Sequence, residues 1–351
     1  MSFLDFGDTG VQSALVSAVV GAAVAIVVAI FNPVSQRRLN RQQAEFDREL
    51  EKLRSRLAGQ ETEADARIAY EFDARKRLYE EIEPLTFQLI DAAEESYARM
   101  VSLVRSQKLG GLGRGGGVNW LSHEGYYLTS TLYKLFLPHA VYMLMKQSST
   151  FVDFRLDPGI RTRHKLMRIA GIAMTDHFDF AELEPELTYT PDADGWQNLR
   201  LKEPARYWQQ ALHIGQYERT IEAFLVMDGA RRRTMTYGEF EREFGSNKDF
   251  RAQMSAAVDL IHGFNFSDRP VLARLLLAHA FVMHLVIISA NESHEVPGLR
   301  RSLEAFRVSG KAAEDLVWDK ACYDSVSVAV AGYLAERLSW IERSDHASVH
   351  L

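Results

Sequence analysis

The chain has 351 residues, of which 47% are apolar and 25% charged, and its formal net charge is −6. This balance supports a packed core and excludes intrinsically disordered, collagen-like and disulfide-stapled chains. The mild acidity argues against a protein that coats nucleic acid, although it is compatible with a local basic site. Because Cys322 is the single cysteine, neither an internal disulfide nor a thiolate metal cage can form.

The N-terminal segment is apolar over a length that can cross a membrane. No charged residue lies between Gly10 and Gln36, and a helix over residues 11–31 spans a hydrocarbon core of roughly 30 Å. Asp5 and Asp8 precede it, and the next charged residues are Arg37, Arg38 and Arg41. The positive-inside rule then predicts a single-pass protein of the bacterial inner membrane, with residues 1–10 outside and the body in the cytoplasm. The alternative is a helix buried in the protein's own core.

Small residues recur at every fourth position of this segment. They are Ser13, Ser17, Gly21, Ala25 and Ala29. A stripe of small residues lets helices approach closely in lipid, which predicts self-association or a weakly polar pore lining. The alternative is that such residues are simply common in membrane helices.

A charged, helix-favouring segment at 34–82 follows, and we interpret it as a stalk. Its apolar residues follow an alternating three-four spacing, at Leu39, Phe46, Leu50, Leu53 and Leu57. This heptad seam predicts a parallel coiled coil and therefore a homo-oligomer. The alternative is one amphipathic helix that packs on its own domain.

The body, 83–351, is predicted to be all-α. Pro84 is expected to kink or break the first helix, and the glycine-rich segment 110–117 is expected to form a flexible loop. Further helices are predicted at 120–146, 158–176, 204–227, 236–244, 247–263, 268–290, 299–308 and 311–342, with a short hairpin at 187–189. The apolar run 271–290 contains Arg274, His279 and His284, so we expect a core helix rather than a second membrane span.

Two clusters of basic residues are the predicted ligand-binding sites. One consists of Arg155, Arg161, Arg163, Lys165 and Arg168, and the other, expected in a loop, of Arg231, Arg232 and Arg233. Guanidinium groups fork onto phosphate oxygens, so these clusters favour an oligonucleotide or cyclic-nucleotide ligand. The alternatives are a solvated surface or attraction to anionic lipid.

Catalytic motifs are scarce, and no cofactor or metal site is expected. Arg274 and His279 match the spacing of the R-x(4–6)-H motif, and the chain here resembles HEPN ribonucleases, which are all-α. That resemblance implies RNA cleavage at a cleft between two protomers. The alternative is a core helix whose arginine pairs or reaches the surface. We therefore expect no enzymatic activity, with a membrane-anchored HEPN-like ribonuclease as an alternative.

The stretch 127–157, YLTSTLYKLFLPHAVYMLMKQSSTFVDFRLD, resembles bacterial membrane-anchored proteins. Together with the apolar N-terminus and the stalk, the layout resembles Hailong-type membrane effectors of nucleotide-signalling anti-phage systems. This resemblance implies an oligomeric ion channel gated by a nucleotide signal and partnered with a nucleotidyltransferase. A membrane-anchored scaffold that recruits a cytosolic partner is the alternative.

Overall fold

The computed structural model describes residues 48–49, 51–52, 65, 68–113, 117–122, 125–148, 156–183, 210–289, 301, 303–304 and 314–347. The chain divides into two compact units, Met1–Phe72 and Asp73–Leu351. Several predictions lie outside the described residues: the segment 11–31 with its small-residue stripe, the five apolar heptad positions, Arg155 and the hairpin at 187–189.

The described residues are mostly helical, which confirms the predicted fold class at that level. Helix α1 covers residues 68–108. The elements that follow are α2 (Tyr126–Ser148), α3 (Pro158–Ala173), α4 (His177–Glu182), α5 (Ile214–Ala223), β1 (Leu225–Asp228), β2 (Arg231–Thr234), α6 (Tyr237–Ser246), α7 (Lys248–Ile261), α8 (Pro270–Ile288) and α9 (Lys320–Ala347).

An antiparallel hairpin replaces the end of the helix predicted at 204–227. Its strands β1 and β2 pair from Leu225 opposite Thr234 to Asp228 opposite Arg231. Gly229, the first turn residue, has φ +63°, a conformation that suits the tight turn of a hairpin and that other residues rarely adopt. The Asp-Gly signal therefore ends the helical pattern, and the arginines expected in a loop lie on a strand.

Helix α8 lies in the core, as the arginine and two histidines within its apolar run predicted. Fifteen of its 19 residues are buried, and it packs against α3, α4 and α9. By length and composition it could also cross a membrane, but 83% of its most apolar window is buried within the protein. The side-chain oxygen of Gln210 accepts hydrogen bonds from the backbone N–H groups of Val271 and Leu272, which satisfies two donors that a helix start leaves open.

Helix α1 continues through Pro84, where a break was expected. Leu78, Ile82 and Leu89 are fully buried on its inner face, whereas Pro84 is exposed. Water can therefore bind the carbonyl that the missing N–H leaves open, and packing of the buried face holds the helix on both sides.

Helix α3 begins where the Asp157-Pro158 pair predicted a helix start. The Asp157 carboxylate accepts a hydrogen bond of 2.8 Å from the N–H of Ile160, and proline occupies the first helical position. This fixed start sets which residues of α3 face α8 and which face α2 and α5.

Candidate functional site

A pocket of about 460 Å³ opens between α2, α3 and α5. Its lining residues are Tyr142, Lys146, His164, Met167, Arg168, Gly171, Ile172, Thr175, Ile214, Tyr217 and Glu218. On α3, positions 164, 168, 171 and 172 recur three and four residues apart and so share one face of the helix. The pocket therefore follows from the amphipathic pattern of α3, whose opposite face packs on the core.

The pocket is lined by two basic side chains, one of which contacts an aromatic ring. The half-buried guanidinium of Arg168 lies 5.4 Å from the ring centroid of Trp340, a distance at which a cation is attracted to an aromatic face. Lys146 supplies a second basic side chain, against the single carboxylate of Glu218 among the lining residues. A lining with two basic side chains and one acidic side chain suits an anionic ligand.

Tyr142 and His164 form one side of the pocket. The Tyr142 hydroxyl lies 3.3 Å from His164 Nε2, and the two rings meet edge to face with centroids 5.4 Å apart. Burial raises the pKa of Tyr142, so its hydroxyl stays protonated at neutral pH. This side offers an aromatic surface with fixed polar atoms.

Tyr217 forms the floor of the pocket. Its hydroxyl lies 2.9 Å from His139 Nδ1, and burial raises the pKa of this phenol. Gly171 makes room for it, because a Cβ at that position would lie 3.0 Å from the Tyr217 oxygen. Tyr217 therefore lines the pocket and carries a neutral hydroxyl that lies between Gly171, another lining residue, and His139 in the interior.

A buried polar chain continues from the floor into the core. We define it as Tyr217, His139, His279 and Ser96, on α5, α2, α8 and α1. His139 Nε2 lies 3.4 Å from His279 Nδ1, and His279 Nε2 lies 2.8 Å from Ser96 Oγ. The polar chain therefore joins the pocket to α1 through interior side chains.

Both histidines of the polar chain are neutral at physiological pH. Burial lowers the pKa of His279 to about 4, and burial together with the neighbouring His279 lowers that of His139 well below its ordinary value. Each imidazole then carries one N–H and one acceptor nitrogen. Their hydrogen bonds to one another and to Ser96 satisfy polar atoms that would otherwise destabilise the core.

The predicted α3 cluster divides between different environments. Arg168 lines the pocket, whereas Arg161 is exposed and Lys165 is buried away from the pocket lining. Arg163 is buried as well, with its Nη2 donating a 2.8 Å hydrogen bond to the carbonyl of Ser289, and burial lowers its pKa. The structure therefore does not bring the four described members of this cluster together at one surface.

The second predicted cluster, Arg231, Arg232 and Arg233, lies on β2. Acidic residues pair with two of these arginines. Arg232 lies 2.7 Å from a Glu222 oxygen. Arg233 makes two 2.8 Å hydrogen bonds to Glu239 and a 3.4 Å ion pair with Asp228. Arg231 is exposed. This second predicted cluster is thus largely neutralised by neighbouring carboxylates.

Arg274 and His279 occupy separate sites inside the protein. Arg274 donates hydrogen bonds of 2.8 and 2.7 Å to the carbonyls of Phe180 and Leu183, beside the end of α4. His279 belongs to the polar chain, and both residues are at most 2% exposed. No RNA-binding surface is formed by this pair in the described part of the chain. The ribonuclease interpretation remains a prediction, which incubation of the full chain with RNA tests.

Sequence reasoning missed most of the pocket. Its polar members on α2 and α5 carry no motif, and no spacing joins residue 142 to residue 217. One signal was present, because His139 and His279 each interrupt an apolar helix, and a buried imidazole needs hydrogen-bond partners. Among the described residues, no group of three or more His, Cys, Asp or Glu side chains could hold a metal ion.

No family model, curated protein or solved structure matches this chain.

Proposed function

We propose that this chain is a membrane-anchored effector whose helical body binds a phosphate-bearing ligand of the nucleotide class in the pocket between α2, α3 and α5. One observation carries the proposal: the basic residues Arg168 and Lys146 line the same pocket as the aromatic residues Tyr142 and Tyr217. Its volume of about 460 Å³ falls within the range of roughly 300–1,000 Å³ typical of small-molecule sites.

The lining supplies the interactions that a nucleotide needs. A guanidinium binds two phosphate oxygens at once, and an ammonium adds a second positive charge. Aromatic rings offer flat surfaces on which a base can stack. The Glu218 carboxylate can accept a hydrogen bond from a sugar hydroxyl or an amino group. Each feature has a matching part in the ligand class that we propose.

The N-terminal part of the proposal depends on the sequence. Residues 11–31 would form a single transmembrane helix with the N-terminus outside, and the segment 34–82 would align several chains in parallel. A single helix cannot enclose a pore, but several can. The resemblance to Hailong-type effectors adds bacterial anti-phage defence as the setting, and a nucleotidyltransferase partner as the source of the ligand.

Ligand control of such a pore has a thermodynamic condition. A ligand shifts a closed–open equilibrium only when it binds the two states with different affinity. In this proposal the difference arises at the pocket, because three separate helices contribute to its lining and their relative positions set its width.

Ion flux tests the proposed function. The full-length chain is reconstituted into liposomes, and flux is recorded before and after addition of adenosine 5′-monophosphate or a short oligoadenylate. We expect a nucleotide to change the flux. Absence of flux under every condition would remove the pore and leave the membrane-anchored scaffold, which predicts partner binding without conductance.

A further inference from the structure

We propose that the polar chain is a reversible hydrogen-bond switch that detects an oxyanion at Tyr217 and transmits its presence to Ser96 on α1. This inference rests on the proposed function, because it requires an anionic ligand in the pocket. It assigns to Tyr217 the direct ligand contact and to the two histidines the role of positioning residues.

The geometry allows two complete arrangements of the same hydrogen bonds. In the first, Tyr217 donates to His139 Nδ1, His139 Nε2–H donates to His279 Nδ1, and His279 Nε2–H donates to Ser96. In the second, every bond is reversed, and both histidines carry their proton on Nδ1. A mixed pair would place two N–H groups or two lone pairs between His139 Nε2 and His279 Nδ1, which are 3.4 Å apart. The tautomers of His139 and His279 must therefore change together.

Burial keeps the proton count of the polar chain constant. Ser96 and His279 are fully buried and His139 is 1% exposed, so an added charge would lie in a medium of low polarity. Each arrangement holds four exchangeable protons, one on each residue. Changing from one arrangement to the other leaves the number of protons the same. The imidazole protons move between ring nitrogens by exchange with water during local opening.

The empty pocket favours the first arrangement. A phenol is a stronger donor than a neutral imidazole, and an imidazole nitrogen is a stronger acceptor than a phenol oxygen. Tyr217 therefore donates its hydrogen bond to His139 Nδ1 when the pocket holds no stronger acceptor. His279 Nε2–H then completes the polar chain by donating a hydrogen bond to Ser96 Oγ.

A phosphate oxygen in the pocket favours the second arrangement. Such an oxygen accepts hydrogen bonds, and a bond to an ionised acceptor is stronger than one to a neutral nitrogen. When Tyr217 turns its proton to the phosphate, its oxygen is free to accept from His139 Nδ1–H. His139 Nε2 must then accept from His279, and His279 Nε2 from Ser96, so the event in the pocket reaches α1.

The sequence permits an unambiguous experiment. Pro138-His139 is the single Pro-His pair in the chain and Ala278-His279 the single Ala-His pair. Carbonyl labelling of proline or alanine, combined with labelled histidine, therefore selects one residue at a time. Solid-state nuclear magnetic resonance of the full chain in lipid then reports which ring nitrogen carries the proton. Inorganic phosphate serves as the probe, and calorimetry of the same preparation reports its binding.

We expect both histidines to carry the proton on Nε2 without phosphate and on Nδ1 at saturating phosphate. Unlike tautomers at the two residues would overturn the switch, as would bound phosphate that leaves both on Nε2. Failure of phosphate to bind overturns the oxyanion sensing, whereas the proposed function is tested separately by the binding of adenosine 5′-monophosphate. In that case the tautomers measured in the free protein still test the polar chain itself, which requires both histidines to carry their proton on Nε2.

Two conservative variants separate the switch from a structural role. Tyr217→Phe removes the detecting hydroxyl, so phosphate should bind about tenfold more weakly and no longer change the tautomers. Tyr126→Phe, an exposed tyrosine outside the pocket, should keep the full response. Ser96→Ala leaves no acceptor for His279 Nε2–H, and an orphaned N–H costs more than an orphaned lone pair. We expect this variant to adopt the Nδ1 pair without phosphate; an Nε2 pair there would contradict the proposal.

Discussion

Two basic regions of this molecule look alike in the sequence and differ in their surroundings. On β2, Arg232 and Arg233 face Glu222, Glu239 and Asp228, so their charge is used within the protein. At the pocket, Arg168 contacts the Trp340 ring and lines a concave site together with Lys146. The comparison teaches that a run of arginines predicts charge, whereas a binding site also needs a cavity and cations that converge on it.

Charge reversal should separate the two regions most strongly. Arg168→Glu replaces a phosphate-binding cation with a repelling carboxylate, and we expect adenosine 5′-monophosphate to bind about 30-fold more weakly. The matched variant Arg231→Glu on the exposed strand should change the affinity less than twofold. Calorimetry of both full-length variants measures this. Equal losses in the two would show that general surface charge, rather than the pocket, attracts the ligand.

The pH dependence of stability should reveal the neutral histidines beneath the pocket. Because burial lowers the pKa of His279 from 6.5 to about 4, the unfolded chain binds more protons than the folded chain between those values. Stability is then complete above pH 6.5 and falls as the pH decreases, by about 1 kcal/mol per pH unit for one such histidine. Denaturant unfolding at several pH values measures the slope. We expect a smaller slope in His279→Gln; an unchanged slope would place its cause elsewhere.

A single methyl group should disturb the pocket floor. In Gly171→Ala the new Cβ lies 3.0 Å from the Tyr217 hydroxyl, closer than ordinary van der Waals contact, so the tyrosine must move. We expect adenosine 5′-monophosphate to bind about fivefold more weakly, a loss comparable to one hydrogen bond. Gly215→Ala, on α5 with open space around its Cβ, is the matched control and should bind normally. A similar affinity in both variants would argue against ligand contact at Tyr217.

The hairpin should respond in a more acidic range and with the smallest effect. The Arg233 guanidinium and the backbone of Thr236 lower the pKa of Glu239 from 4.5 to about 2. Here the folded carboxylate holds its charge more strongly, so its stabilisation is complete above pH 4.5 and is lost as the pH falls towards 2. Glu239→Gln should reduce the loss of stability below pH 4.5 in thermal unfolding without changing the slope between pH 5.5 and 6.5. An unchanged loss of stability below pH 4.5 in this variant would contradict the pairing of Glu239 with Arg233.

The sequence predicted local features well and spatial convergence poorly. The start of α3 at Asp157 and Pro158 followed from cap chemistry, and the core position of α8 followed from the polar residues inside its apolar run. Pro84 was misjudged because its effect depends on whether water reaches the carbonyl that it leaves open. The end of the helix predicted at 204–227 was wrong because Gly229 favours a hairpin turn.

The pocket could not be predicted, since its residues come from three helices that are distant in sequence. His164 and Arg168 share a face of α3, but only the fold shows that Tyr217 lies opposite them. Charge alone misled in the same way, because Arg163 and Arg233 find partners within the protein. Which basic residues remain for a ligand is a property of the three-dimensional arrangement.

The most direct test of the phosphate-binding pocket is a calorimetric titration of the full-length chain with adenosine 5′-monophosphate and, separately, with adenosine, each at low and high salt. We predict that the nucleotide binds at least about tenfold more tightly than the nucleoside and that salt weakens the nucleotide alone. Equal affinities for the two, or a nucleotide affinity that salt does not change, would contradict the account.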